Sequence, residues 1–393
     1  MSPTATLADS DALDAEARRL MAAFTGAGYE RIAPAVIQPA GLFLDVIGES
    51  LRGRTYVFSD PDGEELCLRP DLTVRPCRWH LERPPGGRAG ARYCYSGSAF
   101  RYQPVGADSA HPREFHQAGI ESFGVADREA DDAAVLVLIL EALRTSGLDG
   151  LQIRIGDLGL FNALINAIAM PERWRRRLKN KFWRSDAFRA ELARLKAGPA
   201  AHGQGLPAEL VLALDPADAE TTTARVLDYL DRTGIELIGT RTAEEIAERL
   251  TAEAADLQEP PLAPEKAALI ERYVAIKAPV HEVADRLTEL AHASGVDLAA
   301  AVAAFRRRLA LIEAAGISMR GGEFSAEFGR NLEYYTGFVF EVIAPALGAK
   351  SPVAGGGRYD SLLAEVGALL PVPAVGASIH TERMLAVLPG ARP

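Results

Sequence analysis

The sequence predicts an α+β fold, an antiparallel sheet core flanked by helices and interrupted by a helical insertion. Three observations predict it. Short strand-like runs bounded by turn residues lie between Arg54 and Ile155 and again between Glu323 and Ile343. From about Leu160 to Ile317 the chain is instead rich in Ala, Leu, Glu and Arg at helical spacing. No glycine-rich strand-to-helix turn accompanies the strands, which disfavours a doubly wound nucleotide-binding sheet. The expected division is a first part of the core at 1–159, a helical insertion at 160–320 and a second part of the core at 321–393.

Taken in order, Leu13, Ala17, Leu20, Met21 and Phe24 recur at steps of three and four and form one face of a helix over Ser10 to Ala27. Asp11 and Asp14 suit the positive end of its dipole. Arg54 to Asp60 and Glu64 to Arg69 read as two strands around Asp60-Pro61-Asp62-Gly63, a link so short that the pair must be antiparallel. Further strands are expected at Arg92 to Tyr95, Ala118 to Gly124, Leu151 to Ile155, Glu323 to Phe328 and Gly337 to Ile343. Within the insertion, Ala243 to Ala255, Glu265 to Ile276 and Asp297 to Ala315 carry helical periodicity, broken by turn material at Gly198 to Pro207 and Gln258 to Pro264. No internal repeat is evident.

The 393 residues are 48% hydrophobic and 24% charged, ordinary globular material. A formal charge of −10 gives no bulk electrostatic reason to bind nucleic acid. A cluster of Arg173, Arg175, Arg176, Arg177, Lys179, Lys181 and Arg184 with Trp174, Phe182 and Trp183 is the local exception. It reads as an RNA-binding face, as the solvated side of an amphipathic helix, or as a docking surface for an acidic partner, and tRNA binding is the less favoured of these. Cys67, Cys77 and Cys94 cannot all pair and lack metal-ligand spacing, so they read as buried reduced thiols of a cytoplasmic protein. Neither a signal peptide nor a long apolar span is seen, and no membrane association, metal or cofactor is expected.

Four segments together resemble the class II histidyl-tRNA synthetase family. Pro34 to Thr73 carries "PAVIQPAGLFLDVIGES" and "TYVFSDPDGEELCLRPDLT", similar to the family's dimer-forming motif 1 and the hairpin that begins its amino-acid site. "FRYQPVGADSAHPREFHQAGIESFG" from Phe100 resembles motif 2, and "RNLEYYTGFVFEV" from Arg330 resembles the histidine signature. "GGGRYDSLL" from Gly355 and "AVGASIHTERML" from Ala374 are similar to the glycine loop and motif 3. The fold implied is the class II aminoacyl-tRNA synthetase-like core.

A pocket for free histidine must neutralise an ammonium, hold a carboxylate and read an imidazole. The resemblance implies that Asp71, Thr73 and Gln117 hold the amino group, that Arg330 sits near the carboxylate, and that Glu121 and Tyr335, beside Tyr334, face the imidazole. Gln117, Gly119 and Glu121 alternate as one face of a strand does. Taken singly, these residues have plainer readings. Asp71 is then a turn carboxylate, Glu121 a partner of a sheet arginine, Tyr334 and Tyr335 a core aromatic and an edge residue, and Gly355 to Gly357 a flexible turn.

Departures from the family matter as much. Where motif 2 usually carries Phe-Arg-x-Glu-Arg-Pro, Phe100-Arg101 is followed by Tyr102-Gln103-Pro104, and Val105 to Pro112 is poor in cations. In motif 3 the second glycine is His380, although Gly376 and Arg383 remain. Arg101 and Arg383 imply residual anion binding, and His380 reads as a satisfied buried histidine that fills space an adenine would need. The chain stops at Pro393, where an anticodon-binding domain would follow in a synthetase.

A histidine site without ATP chemistry or tRNA selection resembles one class of synthetase paralogues. They are the regulatory subunits of short-form ATP phosphoribosyltransferase, the enzyme of the first step of L-histidine biosynthesis. The resemblance implies no catalytic residues here and allosteric feedback by L-histidine. It also implies a homodimer within a hetero-octamer with the catalytic subunit. Two alternatives stand beside it: a ligase that activates histidine for a non-tRNA acceptor, and a histidine-sensing RNA- or protein-binding module.

Overall fold

A computed structural model describes residues 7–44, 49–84, 90–104, 112–198, 219–234, 242–328 and 334–388. It divides into two units, Met1–Ala163 with Tyr273–Pro393, and Leu164–Arg272. The hairpin expected around Asp60 forms as β3 (Val57–Ser59) and β4 (Glu65–Leu68), paired antiparallel. The Asp60 carboxylate accepts the amides of Asp62 and Glu64, which fixes the turn. With β2 (Ile37–Pro39) on the other side of β4, these strands make a small three-stranded sheet.

The large sheet is built from β1 (Glu30–Arg31), β5 (Arg92–Phe100), β6 (Glu114–Phe123), β7 (Gln152–Asp157), β8 (Lys277–Pro279), β9 (Glu323–Ser325), β10 (Phe338–Ile343), β11 (Ala354–Arg358) and β12 (Ala374–His380). Their order is β1-β5-β6-β12-β11-β10-β7-β9-β8. The sheet is mixed: β1 runs parallel to β5 and β7 parallel to β9, and the remaining pairs are antiparallel. Both parallel pairs join strands far apart in sequence, where no short hairpin dictates direction.

Five strands escaped the sequence reading, namely β1, β2, β8, β11 and β12. Gly355 to Gly357 is no flexible turn: it lies within β11, whose five residues are all buried between β10 and β12. A Cβ on Gly356 would collide with the Gly376 carbonyl and with Ala377, so the glycines permit close backbone approach. A run without side chains carries no periodicity to read.

The helical insertion is also shorter than expected. β8 and the helices Val280–Ser294 and Ala299–Ala314, placed in the insertion from sequence, belong to the sheet unit. β8 pairs with β9, and Arg308 donates to Asp132 and Asp157 at 2.8 and 2.9 Å. Helical periodicity shows that a segment is a helix but not which body it packs on, so the boundary falls after Arg272 instead of at 320.

The second unit is held by Glu172–Lys181, Ser185–Ala197, Ala219–Thr233, Ala243–Gln258 and most of Pro264–Val274. Thr242 and Glu245 form a reciprocal cap at the start of one of them. The basic cluster turns inward. Arg173 and Trp174 donate to the buried Asp256 at 2.6 and 2.5 Å, and Arg177 bonds both Asp256 and Glu191. Lys181 and Arg194 complete the shell around Glu191 at 2.6 and 2.8 Å. Trp174 and Phe182 are buried. Three of the seven cations that suggested an RNA face, Arg173, Arg177 and Lys181, are therefore spent on internal carboxylates.

Candidate functional site

Arg69 sets the site from beneath. Its guanidinium donates to the carbonyls of Ser98, at 2.6 Å, and Pro34, tying the small sheet to β5. Two residues on, the Asp71 carboxylate accepts the Thr73 amide at 2.6 Å, and the helix Val74–Glu82 starts from Thr73. Asp71 and Thr73 are thus held at a helix start, where a carboxylate is favoured by the dipole. Arg101 approaches Asp71 at 4.0 Å and donates to the Pro70 carbonyl at 2.8 Å.

The sheet brings the remaining groups up from the other side. Asp71, Thr73 and Arg101 share one pocket with Gln117 of β6 and with Tyr334 and Tyr335. Tyr359 and Ser378 line it too, and Gln117 donates to the Ser378 hydroxyl at 3.3 Å. The rings of Tyr334, Tyr335 and Tyr359 pack on one another at 5.1 to 6.4 Å between centroids.

Glu121 lies one layer below this floor. It is 1% exposed and accepts the hydroxyls of Tyr95, at 2.7 Å, and of Tyr359. A Cβ on Gly376, paired opposite in β12, would collide with this carboxylate, so glycine is needed there. Burial pushes the Glu121 carboxyl up to about 8, because the hydroxyls of Tyr359, Tyr95 and Thr73 only partly offset the loss of water. Burial and the neighbouring Glu121 push Tyr95 and Tyr359 well above the usual range, so both stay donors. Among the described residues this carboxylate is held by hydroxyls and by no bonded cation. A cation-bearing ligand is what its electrostatics would favour.

Of the sequence-predicted residues, Asp71, Thr73, Gln117, Tyr334, Tyr335 and Arg101 converge on the pocket, with Glu121 immediately beneath it. Arg383 is not among the lining residues and donates to the Pro352 carbonyl at 2.9 Å. Arg330 lies outside the described residues, as does most of the Val105 to Pro112 loop. His380 is buried, its ring 5.5 Å from Phe115, which also carries the Arg101 guanidinium at 5.1 Å. Sequence reasoning missed Tyr95, Tyr359, Ser378 and Arg69. Tyr95 had a signal, since Tyr93 and Tyr95 alternate as strand residues do. Tyr359 lies inside the GGGRYDSLL segment that carries the family resemblance, but the glycines before it read singly as a turn and gave its side chain no direction.

The histidyl-tRNA synthetase family model matches residues 6–232 and 235–384. A solved structure described as an ATP phosphoribosyltransferase regulatory subunit/histidyl-tRNA synthetase from Bacillus halodurans superposes with a TM-score of 0.67 at 18% identity, covering 99% of this chain and 82% of that one. The fold is thus that of a class II histidyl-tRNA synthetase-like protein. The ATP phosphoribosyltransferase regulatory subunit of Mesorhizobium japonicum is 36% identical over 93% of this chain and 95% of its own length. That of Agrobacterium fabrum is 36% identical over 94% and 96%. The chain belongs to the histidyl-tRNA synthetase family, in its branch of ATP phosphoribosyltransferase regulatory subunits.

Proposed function

We propose that this chain is a non-catalytic regulatory subunit of ATP phosphoribosyltransferase. In this reading it works in the cytoplasm, activates a short-form catalytic subunit at the first step of L-histidine biosynthesis, and carries feedback control by binding L-histidine. The observation that supports this most is 36% identity to named regulatory subunits along 93% of the chain. The pocket adds chemical sense. Asp71, Thr73 and Gln117 would take the ammonium, Arg330 the carboxylate, and Tyr335 with the Glu121 layer the imidazole. Each desolvated charged hydrogen bond of this kind contributes about 1.5–3 kcal/mol.

Loss of adenylate chemistry fits the same reading. Arg101 is engaged by Pro70 and Asp71, Arg383 by Pro352, and His380 packs on Phe115 where the family has a glycine. Histidine can change the partner's activity only by binding one assembly state better than another, a coupling typically of about 1–3 kcal/mol. A homodimer through the motif 1 region, inside a hetero-octamer with the catalytic subunit, is part of this proposal.

The test is phosphoribosyltransferase activity of a short-form catalytic subunit from the same source, with and without this chain, across a histidine titration. Activation that histidine reverses is the expected result. No change in activity together with no co-purification would overturn the proposal.

A further inference from the structure

Behind the pocket runs a buried chain of charges that the histidine reading does not use. Arg358, the last residue of β11, is 4% exposed and immediately precedes Tyr359 of the pocket wall. Its guanidinium donates to Asp132 and Asp360, each at 2.8 Å, and to the Arg128 carbonyl at 3.1 Å. Asp132, fully buried on the helix Arg128–Thr145, gives its second oxygen to Arg308 at 2.8 Å. Arg308 belongs to the helix Ala299–Ala314 and also bonds Asp157 at the end of β7.

The backbone around Arg358 is clamped to the other wall of the pocket. The Thr336 amide donates to the Arg358 carbonyl at 2.8 Å, and the Asp360 amide donates to the Thr336 hydroxyl at 3.0 Å. Thr336 directly follows Tyr335. The two tyrosines that meet across the pocket are therefore carried by one anchored unit, and Arg358 is its anchor.

We propose that Arg358 is the positioning residue of the pocket, and that Asp132, shared between Arg358 and Arg308, makes ligand affinity depend on the seating of the Ala299–Ala314 helix. The physical basis is that a carboxylate divided between two guanidiniums holds both in a fixed geometry. If Arg308 is lost, Asp132 can reorient toward Arg358, and Tyr359 moves with it. The ligand in this statement rests on the histidine reading, whereas the positioning of Tyr359 does not.

The test is calorimetric titration of histidine into wild type and Arg308→Met, read as Kd and stoichiometry separately. A purely structural loss lowers the fraction of folded protein, and with it the apparent stoichiometry, and leaves Kd alone. Positioning raises Kd, expected by about 10-fold, within the 5–150-fold range usual for coupled sites. In a Tyr359→Phe background the same substitution should change Kd by less than about 2-fold, because both act through one side chain. An Arg308→Met protein with wild-type Kd, or additive effects in the cycle, would overturn the inference.

If Arg308→Met fails to fold, Arg308→Lys decides. An ammonium cannot fork between Asp132 and Asp157 as a guanidinium does, so a several-fold weaker Kd is expected and an unchanged one overturns the proposal. Should wild type bind no histidine, the functional reading fails first. Amide exchange at Tyr335, Thr336 and Tyr359 then decides the positioning on its own, faster in the Arg308 variant if it holds and unchanged if it does not.

Discussion

Two buried glutamates, one in each unit, have opposite surroundings. Glu191, 2% exposed, is met by Arg177, Lys181 and Arg194. Burial pushes its carboxyl up, but the three cations outweigh burial and hold it at about 2. Glu121, 1% exposed, meets hydroxyls, and burial carries it to about 8. The first is a finished structural clip. The second, protonated at neutral pH and with no bonded cation among the described residues, lies immediately beneath a pocket, where a cationic ligand would favour its ionised form, an arrangement expected of a binding site and not of a scaffold.

The contrast can be broken most forcefully at the clip. Asp256, the companion of Glu191, takes Arg173, Trp174 and Arg177. Asp256→Asn removes the charge that Arg173 and Arg177 share, although Arg173 keeps Glu259 and Arg177 keeps Glu191, and should destabilise the helical unit by about 1.5–3 kcal/mol in urea denaturation. Histidine affinity should not change. A loss below about 1 kcal/mol would mean that the cluster is not what holds the unit together.

Glu121→Gln should do the reverse. With a counter-charge for the bound imidazole gone, histidine affinity is expected to fall at least about 10-fold, the lower end of a charged hydrogen bond's contribution. Stability above neutral pH should be equal or higher, because an amide carries no charge to desolvate. Calorimetry and denaturation on one preparation read both, and undiminished affinity would remove Glu121 from the site.

The pH dependences should have opposite signs. Glu121 is raised from an unfolded value near 4.5 to about 8, so its favourable contribution is full below 4.5 and is lost as pH rises to 8. Glu191 is lowered to about 2, so its contribution is full above 4.5 and is lost as pH falls toward 2. The stability of Glu121→Gln relative to wild type should therefore climb between pH 4.5 and 8. The deficit of Glu191→Gln should shrink only in acid. Slopes of the same sign in the two variants would contradict the comparison.

How legible this was depends on side chains. The hairpin around Asp60 was readable because turn chemistry and two apolar runs agree, and the pocket residues Asp71, Thr73 and Gln117 sit in motifs of fixed order. β11 was not readable, since glycine gives neither period nor propensity to a strand fixed by its neighbours. The basic cluster misled for a related reason. A run of arginines looks the same in sequence whether it faces water or Asp256, and the partner lies about 80 residues away. Arg308 was invisible as well, being one of three successive arginines on a helix that periodicity alone placed in the wrong unit.

That arginine triplet supplies the smallest expected effect. Arg307 pairs with Asp127 and Glu129 at 2.6 and 2.8 Å, as close as the bonds of Arg308, but its side chain is 48% exposed. Water already solvates each partner when the pair breaks, and added salt screens what attraction remains. Arg307→Ala should therefore leave the unfolding midpoint and the histidine Kd unchanged within error, at low salt and at high. If it instead weakened histidine binding as much as Arg308→Met, the dependence on that helix would run through surface charge near Asp127. Distance does not separate the two arginines; desolvation does, as it separates Glu121 from an ordinary carboxylate.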